Sequence, residues 1–273
     1  MNRTLKFTKM SATGNDFILF DNRNGIFSGK ESPFFRKICQ RRYSIGADGI
    51  ILLEASPEAD FQYRHFNSDG SLAEMCGNGA RAVCYYAVSK KLAPSHIVFE
   101  VMGARHEAWV TGTEVKLKLP PPCHAQPGLG IVSEEHLEEG GYVEVGVPHL
   151  VIFVKKAEDA SVLEEGRRYA SHSHFKNRTN VNFVQFLDSA ALRVRTYERG
   201  VEDETLSCGT GAIASAVISH IVKGVKPPVL VHTTGGDLVV DWENFRKAVF
   251  LSGSAHIIYE AEMLSTEGQG PSE

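Results

Sequence analysis

The sequence predicts an α/β (α+β) protein of two pseudo-symmetric domains from an internal duplication, each a mostly antiparallel curved sheet or barrel around a central helix. Three observations carry this expectation. A Cys-Gly-x-Gly-Ala motif occurs twice, as Cys76-Gly77-Asn78-Gly79-Ala80 and Cys208-Gly209-Thr210-Gly211-Ala212, 132 residues apart. Other segments keep the same offset. Short strand-like runs fill most of each half, and a helical pattern follows each motif.

One such motif match is weak, so the offset matters more than the motif. Gly14-Asn15-Asp16-Phe17, followed by Ile18-Leu19-Phe20, corresponds to Gly146-Val147-Pro148-His149, followed by Leu150-Val151-Ile152-Phe153. Ile97 to Val101, leading to Gly103, corresponds to Val229 to Thr233, leading to Gly235. Separate segments agreeing on one offset mark an ancient duplication. Agreement is looser around Asn67 and Arg199, which implies a small insertion or deletion there. Pro120-Pro121-Pro122 through Gly130 reads as a linker, because three prolines cannot continue a paired strand. The domains are therefore expected at residues 1–119 and 120–254.

Within each half, runs rich in Val, Ile, Phe and Leu are separated by Gly, Asn and Asp. Glu107 to Val110 and Val115 to Leu119 are joined by a Thr111-Gly112-Thr113 turn. After the first motif, Ala80, Val83, Cys84, Ala87 and Val88 fall at i, i+3, i+4, i+7 and i+8, the spacing of one helix face. After the second, Ala212 to Ile221 is small and apolar nearly all round, which predicts a helix buried on most sides.

Composition bounds the function. The 273 residues, 42% apolar and 23% charged, suffice for two ordinary globular domains. The net charge is -4 and Lys and Arg are scattered, so a nucleic-acid surface is not expected. No signal-like stretch opens the chain, and no apolar run approaches the roughly 20 residues of a membrane span, so the expectation is a cytoplasmic, soluble protein without a membrane partner. Disorder is expected only at Thr266 to Glu273. The five cysteines are odd in number and contain no CxxC pair, which argues against a disulfide framework or a zinc ribbon. Cys39 and Cys84 read as packing residues, and Cys123 as incidental to the linker.

Cys76 and Cys208 differ from these. Each sits where a Gly-rich turn opens into a helix. The first N–H groups of a helix lack internal partners and the dipole is positive there, which favours a thiolate and binds anions. Two such cysteines on duplicated domains suggest a pair facing across a cleft. A substrate carboxylate could then be held by both helix starts, with one sulfur on each face of its α-carbon. One thiolate removes the α-proton and the opposite thiol returns one. The helix N-termini stabilise the charge that develops on the carboxylate.

The residues at these positions resemble the diaminopimelate epimerase family over nearly the full chain. The resemblance rests on Lys9-Met10 through Gly14-Asn15-Asp16-Phe17, Phe66-Asn67-Ser68-Asp69-Gly70, both cysteine motifs, Gly146-Val147-Pro148-His149, Thr179-Asn180-Val181-Asn182-Phe183 and Tyr197-Glu198-Arg199-Gly200. It implies an isomerase that interconverts LL- and meso-diaminopimelate, in lysine and peptidoglycan precursor biosynthesis, using no pyridoxal phosphate, no metal and no other cofactor. It implies that Cys76 and Cys208 are the acid and base, and that His149 and Glu198 tune the thiols. It places substrate contacts at Asn15, Asn67, Gly77, Asn78, Asn180, Glu198, Arg199, Gly209 and Thr210. It implies that the end of the chain, residues 255–273, returns to the first domain. Family members are often dimers, and no feature of the sequence marks an interface. The partner is expected to be a small-molecule amino acid. Asn offers donors and an acceptor to a zwitterion, Arg199 suits a carboxylate and Glu198 an ammonium.

Two positions depart from the pattern. Many members carry Asn where this chain has Val147, and some place Gln where it has Gly49. A broader or altered substrate range is the corresponding expectation. The alternatives are a racemase of another amino acid on the same scaffold, a non-catalytic amino-acid-binding protein, and a thiol redox protein using a Cys76–Cys208 disulfide. The binding protein would need no cysteine in each repeat, and the redox protein lacks CxxC. His172-Ser173-His174 reads as an exposed loop, Gly128-Leu129-Gly130 is too short for a phosphate loop, Glu134-Glu135 to Glu138-Glu139 reads as a solvated face, and nothing singles out Lys9.

Overall fold

The chain opens as a hairpin because Thr13-Gly14 accepts positive φ. In the computed structural model, which describes residues 3–132 and 137–265, β1 (Arg3–Ala12) and β2 (Asn15–Asp21) are joined by these two residues at φ 47° and 82°. That is the mirror-image turn that suits strand twist. β2 runs parallel to the later strand β3, so the chain must cross over between them. α1 (Ser32–Cys39) makes the crossover. Pro33 opens it, and Phe34, Phe35, Ile38 and Cys39 form its buried stripe.

β3 (Gly49–Glu54) carries the unbroken apolar run Ile50-Ile51-Leu52-Leu53, all buried. A run without alternation needs cover on both faces. α1 packs against β3, and so does α2, the helix that follows the first cysteine motif. β4 (Phe61–Asn67) and β5 (Leu72–Ala73) continue the sheet antiparallel. After α2 (Gly77–Ser89), β6 (His96–Val101) joins β4 in parallel, and β7 (Ala104–Thr111) turns back along β6. β8 (Glu114–Leu119) follows a turn at Gly112.

The second repeat replays this order. β9 (Cys123–Pro127) precedes β10 (Leu137–Val145) and β11 (Val147–Val154), which pair antiparallel. β11 is parallel to β12 (Asn180–Asp188), with the crossover through α3 (Val162–Ala170). β12 packs against α3 and against α4 (Gly209–Lys223), as β3 does against α1 and α2. β13 (Ala191–Glu198) and β14 (Asp203–Thr205) lead into α4, and β15 (Val229–Thr233) rejoins β13 in parallel. β16 (Gly236–Asp241) and β17 (Val249–Ser254) complete the run antiparallel. Within each unit the described strands pair mostly antiparallel.

The last strand, β18 (His256–Ser265), pairs antiparallel with β1 from Ser11↔His256 to Arg3↔Ser265. β9 stands in the same relation to β10. Each repeat therefore ends in a strand that completes the sheet begun by the other. By contacts, the described residues up to Leu117 and from Ser254 onward form one compact unit, and Lys118–Gly253 form the second.

β9 corrects the linker reading of Pro120 to Gly130. The three prolines lie outside the strands, but Cys123–Pro127 is paired, with Glu144↔Cys123, Tyr142↔Gln126 and Gly141↔Pro127 in register. Gly141 permits the close approach, because a Cβ there would strike the Gln126 carbonyl oxygen. All five side chains of β9 are exposed, so no apolar alternation marks it. The expected disorder at Thr266 to Glu273 lies outside the described residues. So does the start of the acidic run, Glu134 and Glu135; within it, Glu138 is exposed and pairs with Lys223 at 2.6 Å. Among the described residues, no helix is long and apolar enough to cross a membrane.

Candidate active site

In the first unit, Cys76 is the N-cap of α2, in extended conformation at φ -105° and ψ 123°, and its side chain makes no capping bond. The first intrahelical bond runs from Ala80 N–H to Cys76 C=O at 2.8 Å. The earlier N–H groups of the turn have no acceptor within the helix, which leaves this end attractive to an anion. Asn15 and Asn78 lie beside the sulfur. Asn15 Oδ1 is 4.0 Å from Cys76 Sγ and accepts from Asn78 Nδ2 at 3.4 Å. Asn78 Oδ1 accepts from Arg81 at 2.7 Å, and Arg81 also donates to Thr13 Oγ1 at 2.7 Å. Thr13, Asn15, Cys76, Asn78 and Arg81 thus form one cluster. Gly77 is the first residue of α2. Asn67 stands at the end of β4, and its amide donates to Ser71 Oγ at 3.0 Å rather than joining this cluster.

Charges behind the cluster fix Asn15. Its amide nitrogen donates to Asp48 Oδ2 at 2.7 Å. Asp48 shares Arg41 with Asp16, and Asp16 also binds the buried Lys9 at 2.7 Å. Lys9 is therefore engaged by an acid and by the Gly46 carbonyl. Burial alone would raise the Asp16 carboxyl; the hydrogen bonds of Arg41 and Lys9 outweigh it and hold it at about 2, against 3.8 ordinarily. A depressed carboxylate stabilises the fold above its unfolded value and loses that contribution as pH falls through the folded one. Asp16→Asn should remove about 2 kcal/mol of stability at pH 7. Urea unfolding from pH 7 down to 2 should show a shallower acid loss in the variant. Parallel pH dependences would contradict the assignment.

Position 49 has a local reason to be glycine. A Cβ there would lie 2.6 Å from the Phe66 carbonyl oxygen and 2.7 Å from His65 Nε2. His65 is buried edge-on to Phe17, and burial brings its ring down to about 4, so it is neutral. The absence of a longer side chain at Gly49 is coupled to the presence of His65.

In the second unit, Cys208 is the N-cap of α4, extended at φ -120° and ψ 109°, again without a side-chain capping bond. It is buried, and its Sγ lies 3.5 Å from Thr210 Oγ1. Gly209 begins the helix. His149 on β11 is fully buried and is oriented by Asn182. The Asn182 amide nitrogen donates to Leu150 C=O at 3.0 Å, and its oxygen accepts from Thr196 at 3.0 Å. With Asn182 fixed this way round, its nitrogen also donates to His149 Nδ1 at 3.2 Å, so the imidazole proton resides on Nε2. Burial first, and the Arg199 charge second, bring His149 down to about 3. It is a neutral imidazole with a buried Nε2–H that meets no acceptor.

Asn180 is buried at the start of β12, and its side-chain oxygen accepts from Arg199 N–H at 2.9 Å. Arg199 is half-buried, its guanidinium donates to Asn177 C=O at 2.7 Å, and it pairs with no carboxylate among the described residues. Burial pushes the neighbouring Glu198 carboxyl up. A guanidinium without a carboxylate partner among the described residues, beside a carboxyl that burial raises and that an arriving ammonium would favour in its ionised form, suits an amino-acid head group.

Sequence reasoning missed Asn182, Thr196, Asp48 and Arg81. Asn180 and Asn182 stand two apart in an apolar strand, which puts both on one face, and that was an available signal. Cys39 lies in the first unit's core, where burial pushes its thiol up to about 12, and Cys84 is fully buried and raised likewise. His172 and His174 lie in a turn packed on Phe175. Cys123 does have company: its sulfur, the His124 ring and the Glu144 carboxylate offer ligand atoms within 4.8 Å of one another, at an exposed edge. Among the described residues all five cysteines are free thiols.

The fold is shared over almost the whole chain with solved structures. One is a phenazine biosynthesis protein of the PhzF family from Bacillus anthracis, with a TM-score of 0.76 at 14% identity, covering 96% of this chain and 100% of that one. Another is a hydroxyproline epimerase from Agrobacterium vitis, with a TM-score of 0.66 at 13% identity, covering 98% and 94%. The chain thus has the duplicated architecture of PhzF proteins and amino-acid epimerases. Sequence narrows the class. The family model for diaminopimelate epimerase matches residues 7–117 and 141–258. The diaminopimelate epimerase of Aquifex aeolicus is 38% identical, and that of a Hydrogenobaculum species 40% identical, each over 95% of this chain and 98% of the relative. The chain belongs to the diaminopimelate epimerase family.

Proposed function

We infer that the protein is an isomerase that interconverts LL- and meso-diaminopimelate by moving one α-proton between Cys76 and Cys208. The observation that carries this reading is the placement of both cysteines at the same point of their repeats, each as the N-cap of a buried helix. Inversion at a tetrahedral carbon needs a proton acceptor on one face and a donor on the other, and each repeat supplies one sulfur. The thiolate takes the α-proton as the C–H bond breaks. The electron pair passes into the substrate carboxylate, where helix N–H groups stabilise it. The opposite thiol then protonates carbon, so thiol and thiolate have exchanged roles. Asn15, Asn67, Gly77, Asn78, Gly209 and Thr210 would position the reacting head group. Asn180, Glu198 and Arg199 would hold the distal one, and neutral His149 would orient the second site by its Nε2–H. The five free thiols suit a reducing compartment, the cytoplasm.

The test is incubation of reduced protein with LL-diaminopimelate in D₂O without added cofactor, followed by chiral separation and mass analysis. Meso product with one deuterium at the α-carbon is expected. No conversion in a folded sample would overturn the reading. Val147 and Gly49 favour a second one, a related amino acid on the same site. A panel including glutamate and lysine decides between them.

A further inference from the structure

We propose that Cys123, His124 and Glu144 form a binding site for a divalent transition metal of the zinc type, at the edge of the second unit, where the ion clips β9 to β10. The site lies outside the residues assigned to catalysis and stands whether or not the epimerase reading does.

Three different ligand types converge on one point. The Cys123 thiol donates to Glu144 Oε2 at 3.9 Å, and His124 Nδ1 lies 3.0 Å from the same oxygen. A carboxylate oxygen only accepts, so the imidazole donates as well. Two protons therefore point at a single oxygen. A divalent cation that displaces both would bind thiolate, imidazole and carboxylate together. In a tetrahedral zinc site, ligand bonds of about 2.0–2.3 Å put neighbouring ligand atoms about 3.3–3.6 Å apart. The sulfur–oxygen and nitrogen–oxygen separations here are 3.9 and 3.0 Å, so small rotations of exposed side chains bring both to that spacing. No other trio of Cys, His, Asp or Glu side chains among the described residues converges in this way.

The backbone is bent to produce this meeting. Neighbouring residues of a strand point to opposite faces. Cys123 and His124 are neighbours in β9, yet both reach Glu144. The reason is a bulge. Tyr142 stands opposite Gln126 and Glu144 opposite Cys123, so His124 and Ala125 together face Val143. His124 adopts φ 53° there. Left-handed backbone is uncommon for a residue with a Cβ, and bulges characteristically re-aim a side chain. An exposed His–Glu ion pair contributes little by itself and requires neither the bulge nor a thiol on the same oxygen.

The carboxylate is held in place. The Tyr142 hydroxyl donates to Glu144 Oε1 at 2.8 Å, which leaves Oε2 to His124 and Cys123. The Tyr142 ring is in turn stacked on Phe175, with centroids 5.6 Å apart. Outer partners of this kind orient metal ligands. A cavity of about 440 Å³, lined by Cys123, His124, Ile221, Phe245 and Arg246 among others, opens beside the trio. It offers an entry path and room for a water to complete four-coordination. The donor set selects the metal: sulfur and imidazole suit zinc and cobalt and disfavour magnesium and calcium. Bound to both strands, the ion would tie β9, whose side chains are all exposed, to β10.

The test titrates the whole reduced chain, stripped of metal, with Co²⁺ and with Zn²⁺. Co²⁺ should produce a sulfur-to-cobalt charge-transfer band and the intense visible bands of a tetrahedral site, saturating at one ion per chain and displaced by Zn²⁺. Zn²⁺ should slow iodoacetamide alkylation of Cys123 by about tenfold or more, read on its peptide by mass spectrometry. It should also raise the thermal midpoint. Cys123→Ser should abolish the charge-transfer band. His124→Asn, in which asparagine accepts the left-handed backbone, and Glu144→Gln should each weaken Co²⁺ binding by about 100-fold. Tyr142→Phe should weaken it by about tenfold. Absence of the charge-transfer band overturns the proposal. So does a band that survives in Cys123→Ser, which would put the metal on another thiol, or saturation only at millimolar metal. Unslowed alkylation of Cys123 in the unsubstituted protein with Zn²⁺ overturns it without recourse to any variant. Failure of the epimerase reading would appear separately, as no deuterium incorporation with the cobalt spectrum intact.

Discussion

Cys76→Ala and Cys208→Ala are each expected to lower inversion by about 10³-fold or more while leaving the fold standing. The size follows from chemistry. Removing either sulfur removes the proton carrier that the mechanism assigns to its repeat, and inversion cannot proceed with one. The persistence of the fold follows from the structure. Both cysteines occupy N-cap positions, yet neither side chain makes a capping hydrogen bond to the backbone of its helix. Alanine therefore forfeits no capping hydrogen bond, which elsewhere is worth about 1 kcal/mol. Cys39→Ala and Cys84→Ala make the opposite controls. Both sulfurs are buried among apolar groups, so these variants should lose stability and keep turnover. Circular dichroism melts and chiral product analysis on all four variants separate the cases. Either motif variant retaining wild-type rates would remove the two-sulfur mechanism.

The second large effect lies at the motif's second glycine, where the two repeats should part company. At Gly211 a Cβ would strike Asn182 Oδ1 and would lie 3.2 Å from Thr196 Oγ1 and 3.3 Å from Cys208 Cβ. Asn182 cannot retreat without releasing Leu150 C=O, Thr196 and His149 together. Gly211→Ala should destabilise by roughly 2–3 kcal/mol and depress activity through the displaced imidazole. At Gly79, the equivalent position, a Cβ meets Cys76 Cβ, Ile51 and Phe17 at 3.6, 3.7 and 3.8 Å, ordinary contact distances. Gly79→Ala should be tolerated and could gain up to about 1 kcal/mol from helix propensity. Paired urea titrations measure both. Equal destabilisation at the two positions would show that the motif glycines serve the motif alone and not the asparagine behind one of them.

What the sequence disclosed was whatever is local or repeated. Cys76 and Cys208 as helix starts, the helices after them and the offset between β2 and β11 all follow from spacing. α1 was legible too: Phe34, Phe35, Ile38 and Cys39 lie at helical spacing behind Pro33. β9 was not, because its side chains are exposed and its strand character lies in backbone pairing with β10. The partner of β18 is likewise invisible to local pattern; only the family resemblance suggested its return. The same limit explains the site. Arg81 follows a motif in plain view, but its complete burial beside Asn78 and Thr13 is a property of the folded neighbourhood. Asn182 gains its role from Thr196, Leu150 and His149, brought together from two other strands.

The crossed terminal strands impose an order on biosynthesis. A chain emerging from the ribosome can assemble the unit built on β10 as soon as β17 is out, since β9 has preceded it. The unit built on β1 cannot close. Its first strand, made earliest, keeps a row of unpaired N–H and C=O groups until the C-terminal strand arrives, a wait on the order of ten seconds at ordinary elongation rates. Such an edge invites pairing with another nascent chain. The half synthesised first is therefore the half that closes last.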